Sequence, residues 1–96
     1  MSVLTLSDLV SLSAIFEAAQ AGKRVAFLNE LGERADGTAR CLDLSDGYGR
    51  RVDDDGGPVD IRDWFLRVTM DAGGVERFEP VRELMKRLHE SFFVLV

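Results

Sequence analysis

Carboxylates are the chemistry-bearing side chains that this sequence concentrates. Between Asp43 and Asp63 stand seven acids (Asp43, Asp46, Asp53, Asp54, Asp55, Asp60, Asp63) and three cations (Arg50, Arg51, Arg62), a local balance of −4 in a chain of 96 residues whose formal total is −5. Clustered charge of one sign steers encounter and selects partners by sign. The segment is therefore read as a contact surface for a basic protein, with Tyr48, Arg50, Asp53, Asp54, Asp55 and Asp60 as its candidate residues. Tyr48 and Arg50 join the acids because Tyr and Arg are over-represented among interface hot spots. The plainer reading is a solvated loop that keeps the chain soluble.

Metal chemistry fits the same residues poorly. Set against a calcium loop, Asp53, Asp55 and Gly56 match three successive requirements, but Arg51 and Arg62 occupy the two terminal ligand positions. One cysteine, Cys41, and one histidine, His89, are too few for a structural zinc site. Gly47-Tyr48-Gly49-Arg50-Arg51 resembles a phosphate cradle only until Val52, which stands where a third glycine is needed. No cofactor and no metal are expected.

Catalysis has no visible constellation. Neither a Gly-x-Ser-x-Gly elbow nor a His-Glu-x-x-His motif is present. Cys41 reads as a small buried hydrophobe and His89 as a surface residue one step off an apolar stripe. A small enzyme or ligand-binding protein is an alternative that needs a closed pocket joining His89, Cys41 and an acid.

The elements that must position these residues follow from periodicity. Residues 7–21 place Leu9, Leu12, Phe16 and Ala19 on one helical stripe with Ile15 beside it, behind a Thr5–Asp8 capping box and ahead of Gly22. Arg24 to Leu31 and Thr38 to Ser45 read as paired strands, turning through Gly32 and Asp36-Gly37. Residues 46–60 carry no period and form a long acidic surface loop. Asp63 to Met70 alternates as a strand, although Ile61, Trp64, Phe65 and Val68 also match a helix behind an Asp60 cap. Val75 to Glu79 completes a second hairpin. Pro80 then opens a helix with Val81, Leu84, Met85 and Leu88 inward, and Phe92 to Val96 is a short apolar strand.

The order α-β-β-loop-β-β-α-β predicts one α+β domain over 1–96, with a small, mostly antiparallel sheet of about five strands and two helices packed on it. At 46% hydrophobic and 30% charged, the composition is that of an ordinary folded domain. No apolar run approaches the ~20 residues of a spanning helix. Leu9 to Ala19 is fairly apolar, but no Lys or Arg precedes it and Asp8 and Glu17 interrupt it, so it is not read as a secretion signal and a cytoplasmic protein is expected. The acidic balance removes the attraction to phosphate that drives most nucleic-acid binding.

Phe92, Phe93, Val94, Leu95 and Val96 put apolar side chains on both faces of one strand, which then needs two covers. Either it lies centrally, or a second copy covers one face as a homodimer. The expected function is a non-enzymatic interaction module. Its sharpest form is an inhibitor or regulator that meets the basic surface of a nucleic-acid-handling protein. The alternative is an assembly protein that self-associates through its C-terminal strand.

Overall fold

The computed structural model describes residues 4–54, 56 and 59–96. Helix α1 (Leu6–Ala21) starts where Thr5 Oγ1 accepts from the Asp8 N–H at 3.1 Å and Asp8 Oδ2 accepts from the Thr5 N–H at 3.0 Å. Each bond satisfies a donor that the first turn cannot. Gly22 ends the helix in the left-handed region at φ 64°, its N–H donating to the Ala18 carbonyl.

Five strands follow: β1 (Arg24–Leu28), β2 (Arg34–Asp43), β3 (Phe65–Met70), β4 (Glu76–Pro80) and β5 (Phe93–Leu95). Helix α2 (Val81–His89) lies between β4 and β5. The sheet order is β4-β3-β2-β1-β5 with every pairing antiparallel, so the α+β architecture is as expected. Cross-strand partners share a face. Val25, Phe27, Ala39, Leu66, Val68, Met70 and Phe93 form one buried cluster with Leu12, Ile15 and Ala18 of α1 and Val81, Leu84 and Met85 of α2. Both helices therefore cover the same face. Burying each large apolar side chain contributes about 1.5–3 kcal/mol. The reverse face carries polar pairs instead: Arg24 donates to Thr38 Oγ1 at 3.0 Å and to Asp71 Oδ1 at 2.7 Å.

Several local expectations need correction. Asp36-Gly37 lies inside β2, because the turn is made earlier, where Asn29 Oδ1 accepts from the Leu31 and Glu33 N–H groups at 2.9 and 3.0 Å and Gly32 sits at φ 78°. Gly37 serves a close approach: a Cβ there would lie 2.7 Å from Val68 Cγ1 and 2.9 Å from the Thr69 carbonyl oxygen. At residues 61–70 both readings hold in part. Asp60 caps a single 3₁₀ turn, Ile61–Asp63, and β3 begins two residues later. Pro80 is the N-cap of α2, not its first helical residue. Leu9 and Phe16 are exposed, so the buried side of α1 is Leu12, Ile15, Ala18 and Ala19. Strand β5 is an edge strand and not a central one.

Candidate functional site

The segment between β2 and the 3₁₀ turn is built before it is charged. Ser45 bridges Arg51, the Asp46 N–H donates to the Arg50 carbonyl at 3.0 Å and the Val52 N–H to the Leu44 carbonyl at 3.0 Å, which folds residues 44–52 into a narrow loop. Asp46 Oδ1 then accepts from the N–H groups of Tyr48 at 2.7 Å and Arg50 at 3.2 Å. Such side-chain-to-backbone bonds fix a turn that lacks regular structure. Gly47, at φ 84°, lies against the face of Phe78, where a Cβ would come within 2.4 Å of the ring. Only glycine fits there.

What this scaffold displays is Tyr48, 92% exposed at the tip. Arg50 beside it is exposed and makes no ion pair among the described residues. An aromatic side chain in water loses the burial that normally accounts for its presence, and a fixed backbone lowers the ordering cost of burying it elsewhere.

The carboxylates are distributed differently. Asp53 receives the Arg51 guanidinium at 3.0 and 3.1 Å, and those bonds hold its carboxyl below the usual range. Asp54 Oδ2 accepts from the Arg51 N–H at 3.2 Å. Asp60 is held to a pKa of about 2, first by the Arg62 guanidinium and then by the Arg62 N–H. Arg82 adds a second cation 3.9 Å from Asp60 and reaches Asp63 at 3.1 Å. Arg62 is itself buried against this cluster. Asp43 and Asp46 are occupied by backbone donors. Asp60 thus links the loop to α2 while its carboxylate stays partly exposed. Among the described acids Asp54 is the candidate with an exposed carboxylate and no guanidinium partner, while Asp55 lies outside the described residues.

The remaining candidates are spread over the molecule. Phe93 is buried with its ring 5.2 Å from Phe27 and Leu95 packs against the core, while Phe92 and Val94 are half-buried and Val96 is exposed. Cys41 sits in β2 opposite Arg67, on the face away from the helices. His89 lines an open groove of ≈590 Å³ between the start of α1 and α2, near Ser7, Asp8, Ser11 and Lys86. His89 and Cys41 are thus not brought together. No group of three or more metal-ligating side chains occurs among the described residues, and no helix among them is long and apolar enough to cross a membrane.

Two features escaped the sequence reading. The seating of Gly47 on Phe78 joins residues 31 apart and has no local signature. The second is an apolar outer face of α1, made by Leu6, Leu9, Val10 and Phe16. A signal for it exists in the sequence: Asp8 and Glu17 are the only charged residues in the sixteen-residue helix, too few to cover a solvent-facing side. Comparison with known protein families, characterised proteins and solved structures finds no match.

Proposed function

We propose that the chain is a non-enzymatic interaction module that meets a protein partner through residues 45–54, with Tyr48 and Arg50 as contact side chains and Asp53 and Asp54 as the flank. The observation that carries this reading is Tyr48, held 92% exposed on a loop tied down by its own backbone bonds, by Asp46 and by the Gly47–Phe78 contact. Tyr is favoured at binding surfaces because it offers area at a small entropic cost. The partner surface is basic, a complement to the −4 balance of residues 43–63. In its sharpest form the target is a nucleic-acid-handling protein whose cations normally meet phosphate, and the module inhibits or regulates it by occupying them.

Quantitative affinity capture tests it, with wild type, Tyr48→Ala and Asp54→Asn compared side by side. A partner lost with Tyr48→Ala, and captured more slowly and with less salt dependence by Asp54→Asn, is the expected outcome. Equal capture by all three proteins would remove the loop from the contact.

A further inference from the structure

We infer that the outer face of α1 is the contact between two copies of this chain, packed antiparallel about a twofold axis at Ser13. Leu6 is 79% exposed, Val10 64%, Leu9 49% and Phe16 42%, all on one side of a single helix. Leu6, Val10, Ser13, Glu17 and Gln20 follow one another at alternating steps of four and three, the spacing of a helix–helix seam, and Leu9 and Phe16 run alongside.

The occupant follows from three properties of this row. First, a twofold interface must be complementary to itself. Reversed about Ser13, Val10 meets Phe16, Leu6 meets the stem of Gln20, and Leu9 meets the stem of Glu17. The small Ser13 stands on the axis, where two backbones come closest. Second, the charge permits it. Two chains of −5 repel, yet this row carries one carboxylate, Glu17, and Lys23 of the same chain already holds it at 3.1 Å. Antiparallel packing also sets the two helix dipoles head to tail. Third, the area suits a reversible pair: four partly exposed apolar side chains give roughly 400 Å² per copy, and with the polar rim the total reaches the small end of specific interfaces. The dimer is therefore reversible and concentration-dependent. It uses the helix and not the C-terminal strand, of which Phe93 and Leu95 serve the chain's own core.

The test combines mass with geometry. Light scattering on the full chain from micromolar to millimolar concentration should show the mass rise from 10.7 kDa toward twice that value. Val10→Glu should weaken association about tenfold or more, by setting a like charge beside Glu17 of the other copy and adding to the repulsion between two acidic chains. Tyr48→Ala should leave it unchanged, which separates this contact from the partner loop. In a Cys41→Ser background, Ser13→Cys should oxidise to a disulfide-linked dimer, because the two substituted side chains face each other on the axis. A mass fixed at 10.7 kDa throughout, a dimer indifferent to Val10→Glu, or a Ser13→Cys protein that does not cross-link would each overturn the proposal.

Discussion

Gly47 and Asp60 hold the loop by different means, and each means can be measured. A methyl group on Gly47 meets the Phe78 ring and a φ of 84° together, whereas Gly49 has φ 94° but open space where its Cβ would stand. Gly47→Ala is expected to cost about 1–3 kcal/mol in urea unfolding, and Gly49→Ala less, the difference being the ring contact. Asp60 acts through charge. Its pKa falls from 3.8 in the unfolded chain to about 2 in the folded one, so folding favours the ionised form. That contribution is complete above pH ~4 and is lost as pH falls through ~2, because protonation removes it from the folded state last. Wild type should therefore exceed Asp60→Asn in stability at neutral pH, with the gap closing between those limits. A gap that persists unchanged at pH ~2 would mean that packing, and not ionisation, makes Asp60 matter.

Helix α1 shows why elements were legible where their faces were not. Thr5, Asp8 and Gly22 announce its ends through local hydrogen bonding, and those ends are where the sequence puts them. Its stripe was misassigned because an apolar residue signals burial only when the other side is polar, and α1 has apolar residues all round. The strand β3 was recognisable from alternation, but Asp36-Gly37 was not recognisable as strand, since a glycine needed for close packing looks like one needed for a turn. The loop's candidates divided on the same principle. Tyr48 and Arg50 are exposed, while Asp53 and Asp60 meet arginines two residues away, a pairing that charge counting cannot see. The misassignment gives a direct measurement. In samples dilute enough to be monomeric, Ile15→Ala should cost about 2–5 kcal/mol and Val10→Ala should stay within about 0.5 kcal/mol, since only Ile15 is enclosed. A comparable cost for Val10→Ala would place it in the core.

The two contacts proposed for the molecule differ in physical character, and salt separates them. Each copy carries −5 within a body of 37 × 32 × 26 Å, so two copies brought together at α1 keep most of their like charges within some tens of ångströms. Raising ionic strength from about 0.01 M to about 0.15 M shortens the Debye length from ~30 Å to ~8 Å, which screens that repulsion and leaves the apolar seam intact. Dimerisation through α1 should therefore strengthen with added salt. Association of the 45–54 loop with a basic surface runs the other way, because the same screening weakens attraction between opposite charges. Sedimentation of the isolated chain and kinetic binding to its partner, each followed across that range, should give slopes of opposite sign. Dimerisation that weakened with salt would show copies held by carboxylate–guanidinium contacts across the interface. In that case the acidic segment would be meeting Arg50 of a second chain, and the loop and the self-contact would be one surface instead of two.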